Sequence, residues 1–439
     1  MRGLRTPGGS LLRRAATVLT LTAFAVSLAL GGHSSASAGE QTTFRSSATN
    51  DGSDANAASG TPILAAGGNV VVFQSSATNL VRGDRNGQDD VFAFDRAAGT
   101  VTLVSAGTST HPANGRSTPL AVSPNGRFVV FASTAGDLTS DAQPSPCPPG
   151  QECNVEIYLR DRAAGTTELV SRSAAGQPAN LPSGAAAVSA NGRYVAFASF
   201  ATNLVAGDTN RAADIFLRDR VAGTTRRIST GPGGAQANGP SDTQIVSMTP
   251  DARFIAFSTT ASNLAAHEQP GSWDVYMADR GTGTLRRVSG AGGRSLFPTI
   301  SDNGRRVAFM TMAPLARGDR AGTWDIYVRS REGFTRIPLT TPSTARISGN
   351  GRYVAFPSND PSLPGLPAGS TQAVVWDISA GRAIIASMAG ESPSSGSSTA
   401  VWVSADGTTA SFDSSAADLV PFDGNGKTDI ILRLLQQPG

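Results

Sequence analysis

The chain has 439 residues, with 36 basic and 33 acidic side chains, three histidines and two cysteines. Four of the basic side chains and no acidic one fall in the first 38 residues, which leaves 32 against 33 beyond them. That balance gives no electrostatic case for nucleic acid or anionic lipid as a partner, and the length suits one large domain or two or three ordinary ones.

The first element is read as a signal peptide over residues 1–38. Arg2, Arg5, Arg13 and Arg14 form its positive region, Ala15 to Leu30 is mostly apolar, and Ala36-Ser37-Ala38 is a small-residue cleavage site. The pair Arg13-Arg14 is a weak twin-arginine signal, because Leu12 precedes it and Ala15-Ala16 follows. No later apolar run reaches the roughly 20 residues of a membrane-spanning helix. The mature chain, residues 39–439, is expected to be a single domain, secreted, free of membrane insertion and monomeric.

Seven units follow. Each carries a strand with a Phe near its end: Phe73, Phe131, Phe197, Phe257, Phe309, Phe356 and Phe412, at spacings of 47 to 66 residues. A turn such as Asn125-Gly126, Asn191-Gly192, Asn303-Gly304, Asn350-Gly351 or Asp406-Gly407 precedes the Phe strand in most units. Asn-Gly and Asp-Gly between apolar alternations are strong hairpin signals, because the turn demands positive φ. A short apolar strand ends just before each turn. After a loop comes a third strand led by a polar residue, as in Asp214 to Asp219, and a glycine turn then leads to a fourth, here Thr225 to Ser229. Four antiparallel strands per unit, seven units and no helical period predict an all-β fold, a seven-bladed β-propeller. The seventh unit stops after its third strand, while Gln41 to Ser46 stands alone before the first. This N-terminal strand is expected to complete the last blade and close the ring, leaving no open edge.

The repeat resembles the TolB-like propeller family, bacterial relatives of the WD-repeat propellers. The family pattern runs Ser-x-x-Gly-x-x-Ile-Ala-Phe, then Asp-Ile-Tyr-x-x-Asp, then a glycine turn and an arginine-rich strand ending in Val/Ile-Ser. Ser189 to Ser229 match it best, and the resemblance covers roughly residues 41–435. It implies the fold and leaves the function open. The N-terminal domain that TolB places before its propeller and the α/β-hydrolase domain of related peptidases are not found. No Gly-x-Ser-x-Gly elbow occurs.

Residues present in most units are expected to hold the blade, and residues found once are the candidates for function. The loops between second and third strands carry Asp84, Asn86 and Asp90 in unit 1, Asp208, Asn210 and Asp214 in unit 3, and Asp423, Asn425 and Asp429 in unit 7. Oxygen side chains at that spacing, with a glycine nearby, suit Ca²⁺; the plainer reading is Asx-turns and loop anchoring. No other cofactor is expected. In the loop between outer and inner strands, Asn56, Asn114, Asn180 and Asn238 each precede a Ser by three residues, which reads as a repeated turn. Cys147 and Cys153 form a local insert in unit 2, expected to be disulfide-bonded outside the cytoplasm. The proline-rich stretch 361–367, with Pro364 at its centre, interrupts unit 6. Trp273 and Trp324, at the start of third strands, suit stacking on a sugar or peptide, or packing within the blade. Only His111 and His267 remain after the signal segment, in different units, so a Ser-His-Asp triad is not expected. The function expected is non-enzymatic: a binding or scaffolding module for a protein or a cell-wall or extracellular glycan. The alternative is an extracellular polymer-acting enzyme, a glycosidase or lyase, with acidic residues lining its funnel.

Overall fold

The computed structural model describes residues 42–108, 111–140, 154–265, 271–320, 322–339, 343–367 and 369–435. Seven four-stranded antiparallel sheets make up the fold, and each is one blade. Six are continuous in sequence. Blade 1 runs Ser59–Leu64, Val70–Ser75, Asp90–Asp95, Thr100–Leu103, and blade 3 runs Ser183–Val188, Tyr194–Ser199, Asp214–Asp219, Thr224–Arg227. Blade 7 takes Ser398–Val403, Thr409–Ser414 and Asp429–Leu434 from the C-terminal end and Thr43–Arg45 from the N-terminal end. The closing strand pairs antiparallel, Thr43 with Arg433 and Arg45 with Ile431. The ring closure read from the sequence is therefore present. One feature was not foreseen: a small hairpin, Met388–Ala389 with Ser392–Pro393, between blades 6 and 7.

The period-two pattern of the second strands explains the packing. In blade 3, Phe197 joins an apolar cluster with Val130 and Leu159 of blade 2, while its neighbours Ala196 and Ala198 join a cluster with Ile255 and Phe257 of blade 4. Alternate side chains of one strand thus glue opposite neighbours, as sheet geometry requires. The seven repeated phenylalanines have no exposed surface. Four of them lie beside an aromatic ring of the third strand at 5.8 to 6.2 Å between centroids. Each buried ring contributes about 1.5–3 kcal/mol of transfer free energy, so the blade interfaces hold the ring together.

The Asn-Gly turns form as expected. In blade 3 Ser189 Oγ donates to Asn191 Oδ1 at 2.8 Å, Asn191 Oδ1 accepts from Arg193 N at 3.1 Å, and Gly192 takes φ of 70°. The inner strands carry a second repeated device, a bulge, in six blades; in blade 3 the register shifts between Gly184 and Ala186. The bulge bends the strand at the channel. Blade 6 departs: its inner strand is only Arg346–Ile347 and its pairing shows no shift.

Candidate functional site

The outward loops sort the sequence candidates. In blade 1 Asp90 leads the third strand, and its Oδ1 accepts from Ser105 Oγ at 2.6 Å. Asn86 Nδ2 donates to Asp90 Oδ2 at 2.7 Å and to the Ala113 carbonyl at 2.8 Å. Blade 3 repeats this, with Asn210 donating to Asp214 and Ala237, and Ser229 donating to Asp214. In blade 7 Asn425 donates to the Ala55 carbonyl, and Ser47 donates to Asp429 across the ring closure at 2.5 Å. Asn86, Asp90, Asn210, Asp214, Asn425 and Asp429 thus tie their loops to the blades through these bonds.

Charge compensation differs between blades. In blade 3 Arg227 lies 3.4 Å from both Asp208 and Asp214, and in blade 5 Arg336 lies 2.7 Å from Asp325. Arg45 stands near Asp423 at 3.9 Å in blade 7. Blade 1 has Leu103 at the place of Arg227, so Asp84 and Asp90 have no arginine between them. Burial pushes Asp90 up to about 6 and raises Asp84 as well, and the Asp84 Oδ1 atom is buried without a hydrogen bond.

The remaining predicted residues fall in separate places. Trp273 and Trp324 are half-buried, and Trp324 packs on the apolar cluster shared by blades 5 and 6. Pro364 is exposed, but its neighbour Leu363 is buried in that same cluster, where it anchors the proline-rich loop. Equivalent leucines, Leu80, Leu138, Leu204 and Leu264, are buried in the matching loops of blades 1 to 4. Recurrence of this leucine, unremarked in the sequence reading, makes the loop a blade component with an unusual tip. Cys147, Cys153 and His267 lie outside the described residues. Trp273, Trp324 and Pro364 do not line the central cavity or the hollows between blades 4, 5 and 6 described below.

What the structure does assemble is a central channel, a cavity of about 190 Å³ lined by the inner strands of all seven blades. Seven register-equivalent positions, each one pair before the end of the inner-strand ladder, form a ring inside it: Ile63, Ala121, Ala187, Ser247, Thr299, Arg346 and Trp402. The ring is lopsided. Four of its members are small, and Arg346 and Trp402 fill one side. Ser247 Oγ accepts from Ile300 N at 3.1 Å, and Thr299 Oγ1 accepts from Ile347 N at 3.1 Å, so these hydroxyls tie neighbouring blades. The Arg346 guanidinium lies 4.9 Å from the centre of the Trp402 ring, a cation–π contact. Its Nη1 is buried with no hydrogen-bond partner, and burial lowers its pKa to about 10.

No carboxylate is among the residues that line this cavity. The wall of this cavity offers a single cation, Arg346, in a mostly apolar sleeve. Arg346 was overlooked because it looks like an ordinary arginine in Thr344-Ala345-Arg346-Ile347-Ser348. The available signal was alignment of the unit's short inner strand with those of the other blades, which sets Arg346 against Ala187 and Thr299.

No family model and no curated protein matches the sequence. Solved structures of similar fold exist. TolB from Acinetobacter baumannii is 14% identical, with 74% of this chain and 77% of that chain covered and a TM-score of 0.41. An oligogalacturonate lyase from Vibrio parahaemolyticus is 10% identical over 89% of this chain and 88% of that chain, with a TM-score of 0.49. The β-propeller domain of the Trilobed protease from Pyrococcus furiosus is 10% identical over 82% of this chain and 90% of that chain, with a TM-score of 0.50. That domain is described as having an open velcro topology, whereas Thr43–Arg45 closes the present ring. The likeness is one of fold, and the fold implied by the TolB-like repeat, a seven-bladed β-propeller, is the fold observed.

Proposed function

We propose that the chain is an exported, non-enzymatic propeller that binds or scaffolds a protein or a cell-wall or extracellular glycan. The reading is carried by the wall of the central cavity: an arginine whose Nη1 has no hydrogen-bond partner beside a tryptophan, two small hydroxyls already engaged between blades, and aliphatic side chains. Such a wall favours an anionic group seated on Arg346 with an apolar body against Trp402. A buried donor atom without a partner is costly, and an anion bound at Nη1 offsets that cost. The test mixes the mature chain, residues 39–439, and its R346M variant with insoluble peptidoglycan-type glycan and with soluble extracellular polymers. Retention of the wild type, weakened in R346M and without release of soluble fragments, supports the reading. New reducing or unsaturated sugar ends, produced by the wild type at catalytic turnover, would overturn it.

A further inference from the structure

Blade 5 breaks the repeat on the face opposite the long loops. In blades 2, 3, 4 and 6 the turn arginine grips a carboxylate at the end of the third strand: Arg127 with Asp161, Arg193 with Asp219, Arg253 with Asp279 and Arg352 with Asp377, at 2.6 to 3.0 Å. The residue after each of these arginines is aromatic, and the guanidinium covers its ring at 4.8 to 5.1 Å. Blade 5 reads Asn303-Gly304-Arg305-Arg306 in the turn and Arg329-Ser330-Arg331 at the end of the third strand, Asp325–Arg329. Ser330 stands where the carboxylate belongs, and Arg306 stands where the aromatic belongs. One negative charge is removed and one positive charge is added at the same place.

The consequence is a double cleft. One hollow of about 580 Å³ lies between blades 4 and 5, and one of about 510 Å³ lies between blades 5 and 6. They share Asn303, Arg305, Ser330 and Arg331. Arg253 and Arg352 at the two ends are already paired. Five more arginines, at 286, 305, 306, 329 and 331, face one lining carboxylate, Glu332. Asp302, next to the turn, has its carboxylate against Gly349 and lines neither hollow. Crowding of like charge is felt within the group: burial, then Arg329 and Arg331, lower the pKa of Arg286. An overall balance of charge thus conceals a local excess of cations.

We propose that this double cleft is a docking groove for a linear acidic polysaccharide, whose carboxylate or sulfate groups are taken by Arg305, Arg331 and the arginines beside them. Guanidinium forks match both anions bidentately. Two hollows joined through shared arginines fit a chain with repeated charges better than a single ion. Asn303, Ser330, Asn350 and Ser379 line the hollows and supply donors and acceptors for sugar hydroxyls. Single-stranded nucleic acid would need aromatic platforms for its bases; the one aromatic in the lining, Phe254, is already covered by Arg253. The groove is separate from the channel and does not depend on the reading given above for it.

The test measures binding of the mature chain to polygalacturonate, which carries carboxylates, to dextran sulfate, to neutral dextran and to single-stranded DNA, across a salt series. The expected result is binding to one or both acidic glycans, none to dextran, and weakening as salt rises. The decisive variant is S330D, which restores the missing partner of Arg305. It should fold with an undiminished Tm and bind the acidic glycan about tenfold more weakly. R85S, which removes one exposed charge from the opposite face, should bind as the wild type does. Absence of binding to either acidic glycan, equal binding to dextran or DNA, or unchanged binding by S330D would each overturn the proposal.

Discussion

The residue that leads each third strand shows how one side chain can hold a loop to a blade. Asp90, Asp214, Asp274 and Asp429 each accept a hydrogen bond from a serine next to the outer strand, and that serine accepts in turn from the next backbone N–H, as Ser105 does from Val91 at 3.0 Å. Glu156 and Ser171 repeat the contact in blade 2. Burial pushes Glu156 up to about 8 from its ordinary 4.5. Between those values the native protein keeps a proton that the unfolded chain has released, so this group makes stability fall as pH rises through that window. Blade 6 shows that no charge is required: Ser387 donates to Gln372 Oε1 at 2.6 Å and accepts from Ala373 N at 3.0 Å. The variant E156Q should therefore be more stable than the wild type by about 1–3 kcal/mol above pH 8, with the gain vanishing near pH 4. Urea unfolding at the two pH values checks this, and a gain independent of pH would show that ionisation is not the cause. The acid was legible in the sequence as a repeated letter. Its serine was legible too, as the end of the Val/Ile-Ser pattern, but the contact between them crosses 15 residues and appears only when the two strands pair.

Turns and strands were the most legible level, because seven imperfect copies vote on each position. The Phe strand, the Asn-Gly turn and the orphan N-terminal strand follow from period and from the backbone demands of glycine. What the pattern does not reveal is which strand faces which across a blade boundary. Gly192 illustrates the point. Its φ of 70° matches that of Gly223, 68°, at the turn between third and outer strands. A Cβ on Gly192 would meet the Phe128 ring of blade 2 at 2.6 Å, while one on Gly223 would meet nothing within 4 Å. G223A should cost about 1 kcal/mol, the price of positive φ for a residue with a side chain. G192A adds the displacement of a packed ring and should cost about 2–4 kcal/mol in total. Thermal unfolding of the two variants separates them, and equal losses would mean that Phe128 yields freely. The same blindness to neighbours hid Arg346 and the arginines of blade 5. Their meaning comes from what is missing around them, a carboxylate at 330 and a long inner strand in blade 6, and an absence is visible only once the blades are superposed.

At the scale of the whole molecule, stability depends on a closed circuit. Inner strands contact their neighbours around the ring, and that of blade 7 also contacts that of blade 1. The last link is composite. Thr43–Arg45 pairs with the third strand of blade 7, Phe44 packs on the cluster that joins Ile430 and Leu432 to Phe73 and Phe92 of blade 1, and Ser47 bonds both Asp429 and the Ile430 amide. Removal of residues 39–47 would strip one blade of its outer strand, expose part of that cluster and leave Asp429 without its serine. An unpaired strand edge beside exposed apolar surface invites association between chains. The deletion variant should melt at a markedly lower temperature than the intact mature chain and aggregate in a concentration-dependent way. S47A, which removes only the two serine bonds, should lose about 1–2 kcal/mol and remain unassociated. Calorimetry with light scattering on the three proteins makes the comparison. If the deletion variant keeps the intact Tm and scattering, the link between first and last blades contributes nothing to holding the ring, and the six continuous blades suffice. A low Tm for the deletion together with a mild loss for S47A would place the closure energy in strand pairing and Phe44 burial, because the two serine hydrogen bonds alone account for the smaller share.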